Sequence, residues 1–368
     1  MKRVLYLGGF ELPDKNAAAQ RVVSNAKLLR VIGFEVSFIG ISKDIKNAPS
    51  NVDGFLSYPI SYPKNAIQWI RQITNYISSE KLLDYQPDYV ILYNFPAIAS
   101  LKVLRTCHKH GIKVIHDLTE WEQTEGYFPR DIIKRLDTAL RMRYCMKRMD
   151  GVIAISRFLY NIYKDEVSTI LMPPTVDLSH KKWNRDREIF SNSPVTLVYA
   201  GSPGSGVKDR LDLLINATKD RKNILLCIIG LTEDQYADSF HTSHIHYNNI
   251  VFKGRLSHPD AVREVCNADF QMLIRDRNRK NEAGFPTKLV ESMACGTPVI
   301  ATIFSNIMDY VHDGENGFII DNNQTIDAVL DKVAGMNADD IVRMKRNCID
   351  VKVFDYHYYK SEFEKLFV

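Results

Sequence analysis

At 368 residues the chain is long enough for two domains of ordinary size. Its 45% apolar, 10% aromatic and 25% charged content is that of a globular protein in water, and no run approaches the roughly 20 apolar residues of a membrane span. The net charge of +4 is uneven, with 24 Lys and Arg against 18 Asp and Glu in residues 1–180 and a small acidic excess thereafter. That basic excess is modest, and no helix-turn-helix or zinc motif accompanies it, so nucleic acid is not an expected partner. Six scattered cysteines (107, 145, 227, 266, 295, 348) form no CxxC pair, which argues against a zinc site and for a reduced cytoplasm. Met1-Lys2-Arg3 leads straight into Val-Leu-Tyr-Leu with no signal peptide, so a cytoplasmic location is expected.

In chain order, short apolar runs at Val4–Leu7, Val36–Ile39, Tyr89–Leu92, Val114–Ile115 and Val152–Ile155 read as strands. Helical patterns such as "AAAQRVVSNAKLLRVIG" (17–33) and "IASLKVLRTCHKHG" (98–111) separate them, each closing on a glycine. The proline-rich, polar stretch 170–194 reads as a linker. Alternation resumes with "VTLVYAG" (195–201), "ILLCIIG" (224–230), "IVFKG" (250–254), "FQMLI" (270–274), "PVIAT" (298–302) and "GFII" (317–320). The expectation is α/β: two doubly wound, Rossmann-like domains at 1–180 and 195–350 facing a central cleft, then an amphipathic helix at 353–368.

Two glycine-rich turns follow the first strand of each half, at Gly8-Gly9 and in "AGSPGSGVKD" (200–209). Neither has the G-x-G-x-x-G spacing of a dinucleotide site, and Gly206-Val207-Lys208 lacks the ending of a P-loop. Near residue 284 the chain runs "AGFPTKLVESMACGTPVI": a glycine bend, then Pro286 at a helix start, with the helix over Thr287–Ala294. Free amides and the helix dipole at such a start suit a phosphate. No two aspartates are separated by a single residue, so a bound diphosphate would be met by amides and by Lys208 and Lys288, with no metal.

The chain resembles the retaining glycosyltransferases of family 4, which have GT-B architecture. The resemblance rests on "RVVSNAKLLRVIGFEVSFIG", "DGVIAISRFL", "YAGSPGSGVKDRLDLLINA", "NADFQMLIRD" and above all "AGFPTKLVESMACGTPVI". Its Phe-Pro-Thr-Lys form is similar to enzymes that build bacterial capsule, O-antigen and exopolysaccharide. The resemblance implies that Glu291 holds the donor's ribose hydroxyls, where the bland alternative is a favourable helix-dipole contact. It implies that Lys208 meets the diphosphate, joined by amides of Thr287 and Lys288, while Gly8, Gly9, Gly201 and Gly284 let backbone approach the donor. Base recognition is expected from backbone around Gly254 in "FKGRLSH".

The family pattern is not followed everywhere. The first glutamate of the family's pair is Ala283 here, with Glu282 one residue away, and Ser202 stands where an arginine often lies. Arg275, after "FQMLI", is a candidate replacement or else a loop salt bridge. On the acceptor side, His116, Asp117 and Glu120 in "VIHDLTEWE" are the candidate catalytic groups. His116 read as a half-buried histidine and Asp117 read as a helix cap are the alternatives. A position that often carries histidine is Asn94.

The implied activity is transfer of a sugar from a nucleoside diphosphate, UDP before GDP, to a lipid-linked glycan, with retention and no cofactor. Alternatives are another GT-B enzyme such as a UDP-sugar epimerase, or a sugar-nucleotide binder without catalysis. The basic, apolar-studded segment 134–150 and "NAIQWIRQITNYI" are either solvated helices or a peripheral contact with the inner face of the membrane.

Overall fold

The computed structural model describes residues 1–13, 16–43, 45, 49–122, 126–201, 208–242, 247–321 and 325–367. Two compact units emerge: residues 1–176 with 282–285 and 355–368, and residues 177–281 with 286–354.

Unit 1 contains ten strands among its described residues: β1 (Lys2–Gly8), β2 (Phe34–Ile39), β3 (Ile41–Ser42), β4 (Ser50–Val52), β5 (Phe55–Ser57), β6 (Ile60–Ser61), β7 (Tyr89–Tyr93), β8 (Lys113–Leu118), β9 (Gly151–Ala154) and β10 (Thr169–Leu171). Eight of them form one sheet in the order β10-β9-β8-β7-β1-β2-β5-β4, parallel except for β4 on β5, while β3 and β6 pair apart. Val4–Leu7, Val90–Leu92 and Val152–Ala154 are buried on both faces, as continuous apolar runs in a covered parallel sheet must be. The helix Ala17–Val31 is capped by Asn16, whose side chain accepts the Ala19 N–H at 2.8 Å, and Gly33, just past its C-cap Ile32, has φ +92°.

The terminal segment folds as a 3-10 turn, Tyr356–Tyr359, and a short helix, Lys360–Glu364. Phe367 packs on Phe34 and Tyr89 of unit 1, and the Tyr89 hydroxyl donates to Phe367 O at 3.1 Å. The stretch read as a linker is structured. Thr169–Leu171 is an edge strand on β9, missed because Pro173 and Pro174 follow one residue beyond its end. Beyond Asp177 the chain packs on unit 2: Trp183 is buried and donates to Asp177 O at 2.8 Å, and Arg187 donates to Cys266 O at 2.7 Å.

Unit 2 has β11 (Val195–Ala200), β12 (Ile224–Ile229), β13 (Ile250–Gly254), β14 (Phe270–Leu273), β15 (Val299–Thr302) and β16 (Gly317–Ile320). They lie all parallel in the order β13-β12-β11-β14-β15-β16. Counted within the unit this is 3-2-1-4-5-6, the doubly wound order whose direction reverses between its first and fourth strands. The buried Lys345–Asp269 pair, 2.8 Å apart, ties the helix Ala338–Asp350 to the start of β14, with Lys345 also donating to Phe190 O. Burial pushes the Lys345 pKa down even beside that carboxylate.

Candidate functional site

The reversal point of unit 2 brings together the ends of β11 and β14 and the start of the helix Thr287–Ala294. Ligands of open α/β sheets bind at this place, because the loops after neighbouring strands diverge there. Gly201, at the end of β11, has φ +139°, and a β-carbon on it would lie 2.4 Å from Lys288 Cε. Glycine is therefore what lets Lys288 cross the end of the strand. The Arg210 N–H donates to Ile274 O at 2.8 Å, docking the chain beyond the glycine-rich loop onto the end of β14.

At the centre lies Asp209, which the sequence reading passed over. Its Oδ2 accepts from Lys288 Nζ at 2.7 Å and from the Tyr199 hydroxyl at 2.8 Å, and its Oδ1 from Arg275 Nε at 2.5 Å. Burial alone would raise the Asp209 pKa, but Lys288 and Arg275 outweigh it and hold it at about 2. Burial lowers Lys288 to about 8, partly offset by Asp209 and reinforced by Arg275. Lys288 also stands 4.0 Å from the centre of the Tyr199 ring, and Arg275 5.1 Å from that of Phe304. Two cations share one carboxylate, so the cluster carries a net positive charge, with Lys288 itself in the first turn of a helix.

One turn further along that helix, Glu291 is half-buried and meets His258 Nε2 at 3.2 Å. His258 opens the helix His258–Asn267, capped by Ser257. Gly254, at the end of β13, has φ +62° and lies beside the Thr232 methyl group. Lys208 directly precedes Asp209 and is half-buried, and Thr287 is half-buried at the helix start. Ser202 lies outside the described residues.

Several predicted residues belong to unit 1. Glu282, Ala283 and Gly284 are grouped with unit 1, where Ala283 O accepts from the Ser156 hydroxyl at 2.8 Å. Gly8 closes β1; a β-carbon there would meet Tyr93 Cβ at 2.7 Å, whereas one on Gly9 would meet open space.

Asp117, in β8, is fully buried. Its carboxylate accepts from Arg21 Nε and Nη2 at 2.9 and 2.8 Å, from the Tyr6 hydroxyl at 2.5 Å and from Asn25 Nδ2 at 3.2 Å. It caps no helix; it joins β1, β8 and the helix Ala17–Val31. His116 is also fully buried, and its Nε2 accepts the Phe95 N–H at 3.3 Å. Burial first, and then the charge of Arg141, bring its pKa down to about 3, so it is neutral at pH 7. Of the three acceptor-side candidates only Glu120 is exposed. Asn94, with φ +41°, exchanges hydrogen bonds with Thr119, joining the ends of β7 and β8.

Residues 186–350 match the family model for glycosyl transferases group 1. An uncharacterized glycosyltransferase of Methanocaldococcus jannaschii is 23% identical over 226 residues, which are 58% of this chain and 54% of that protein, so the match spans about half of the relative's length. Sucrose-phosphate synthase of Thermosynechococcus elongatus superposes with a TM-score of 0.71 at 12% identity, covering 100% of this chain and 98% of that one. HepE of Anabaena, solved in complex with UDP and glucose, gives 0.66 at 15% identity, covering 100% and 99%. At such identities the structural likeness speaks for the fold. The chain has the GT-B fold, and its residues 186–350 match the model of a glycosyltransferase group 1 domain.

Proposed function

We propose that the protein is a family 4 glycosyltransferase that moves a sugar from a nucleoside diphosphate, UDP in preference to GDP, to a lipid-linked acceptor of surface-polysaccharide assembly. The observation that carries this reading is the Lys288–Asp209–Arg275 cluster at the reversal point of unit 2, with Glu291 one turn along the same helix. A diphosphate placed there meets two cations and a helix start, and its ribose hydroxyls reach a carboxylate already oriented by His258. The UDP and glucose bound by HepE support the choice of donor.

In the reaction the bond between the sugar's anomeric carbon and the diphosphate oxygen breaks, the acceptor hydroxyl oxygen joins that carbon on the same face, and the hydroxyl's proton passes to the departing diphosphate. Charge developing on the departing diphosphate is stabilised by Lys208, Lys288 and Arg275, already in place before reaction, without a metal. Unit 1 supplies the acceptor side, with Glu120 as its exposed carboxylate.

The test is thermal stabilisation by UDP, GDP, ADP and NAD with EDTA present. A ligand at a hundredfold its Kd stabilises by about 2.7 kcal/mol, and UDP should raise the melting temperature accordingly. Glu291→Ala should lose most of that shift while melting normally without ligand. A shift with NAD alone, or an undiminished UDP shift in the variant, would remove the donor site from this helix.

A further inference from the structure

We propose that unit 1 docks on an anionic lipid surface through an exposed face made by residues 127–148 and the helix Ala66–Thr74. The helix Pro129–Leu140 continues through a π turn, Arg141–Cys145, into a 3-10 turn, Met146–Arg148. Along it the side chains four apart, Phe128, Ile132, Leu136, Leu140 and Tyr144, are 77, 41, 65, 38 and 43% exposed. Spacing of four follows one face of a helix, so these residues form a continuous outward stripe. A helix packed on a core by its apolar side presents polar groups outward; this one presents large apolar groups there as well.

The charge on this face has one sign. Twelve residues between 127 and 148 are exposed; five are Arg or Lys and none is acidic. The acids of the segment are held inward: Asp137 accepts the Ala97 N–H at 2.8 Å, and Asp131 is half-buried. Lys147 does reach Glu166 at 2.9 Å, which leaves the other four cations to set the field.

The face extends onto a second helix. Arg130 lies 5.3 Å from the ring centre of Trp69, joining the stripe to Ala66–Thr74, a helix with no buried residue on which Ile67 is 79% exposed. Apolar side chains long enough to enter the acyl boundary, interleaved with Arg and Lys and free of carboxylates, match a bilayer bearing anionic headgroups. Among the described residues no helix is long and apolar enough to cross a membrane, so the contact is one of lying on the surface.

The experiment is co-flotation of the full chain with vesicles of phosphatidylcholine alone or mixed with phosphatidylglycerol. The protein should float with the anionic vesicles, stay behind with the neutral ones, and be released by high salt. Two double variants test the two halves of the face: Phe128→Ser with Leu136→Glu, and Arg135→Glu with Arg143→Glu. All four side chains are exposed, so melting temperature and UDP stabilisation should stay as in the wild type. Each variant should lose anionic-vesicle binding by on the order of thirtyfold. Equal flotation with neutral vesicles, or retained binding in either variant, would overturn the assignment. So would a wild-type dimer without vesicle binding that Leu136→Glu splits, since the face would then cover a second copy of the chain. UDP stabilisation reads unit 2 alone, so failure of this docking surface and failure of the donor site are separate results.

Discussion

Asp117→Ala should destabilise unit 1 by about 3–5 kcal/mol, the usual cost of stripping one partner from a buried ion pair. Arg21 is buried with it, and once the carboxylate is gone the arginine's remaining hydrogen bond among the described residues is from Nη1 to the Met172 carbonyl, at 3.1 Å. Asn25 and the Tyr6 hydroxyl lose the same acceptor. Hydrogen exchange at amides of β1 and β8 should quicken, while unit 2 amides keep their protection. A paired Arg21→Met, Asp117→Leu chain should recover most of the loss, because it removes the buried charge instead of orphaning it. A further variant, Asp117→Asn, decides whether Asp117 acts on the acceptor. If Asp117→Asn melts like wild type yet transfers no sugar, the carboxylate has a chemical role; if stability falls with activity, it is a strut.

Lys288→Ala should lower kcat/KM by about 10²–10³, the cost of removing one preorganised donor from developing charge. On the proposed function the lysine meets the diphosphate before and after bond breaking, so UDP binding should weaken as well. The pH dependence follows from the lysine's depressed pKa of about 8. Below pH 8 the ammonium is present and binding is level. Above it the free protein's lysine loses its proton, and UDP affinity should fall towards tenfold per pH unit.

Two variants check the sign. Lys288→Arg, always charged, should abolish the fall between pH 7 and 9. Asp209→Asn removes a charge that raises the lysine's pKa, so the fall should begin at lower pH. Level binding to pH 9 in the wild type would mean that Lys288 does not meet the diphosphate.

How far these features were legible varied from element to element. Strands of four to six apolar residues such as "ILLCII" and "VIAT" announced themselves, because burial on both faces admits nothing else. The three-residue strands Ser50–Val52 and Phe55–Ser57 were missed, since three residues carry no period. The helix that carries Lys288 and Glu291 was legible because a glycine bend, a proline and a helix pattern follow one another within ten residues. Asp209 was not, although it stands next to Lys208, for an aspartate before a helix reads as an ordinary cap.

Composition, apolar runs and the motif after Gly284 determined the class of fold, the two-part layout and the helix that carries the lysine and the glutamate. These are local properties, set by periodicity and by backbone chemistry within a dozen residues. Only the tertiary structure decided that β11 lies beside β14, and so that Asp209 links Arg275 to Lys288 across 66 and 79 residues. It likewise decided that Arg21 consumes the carboxylate of Asp117, and that the stripe from Phe128 to Tyr144 faces outward. Pairing across such distances depends on strand order and on which helix face is covered, and both are settled by packing the whole chain at once.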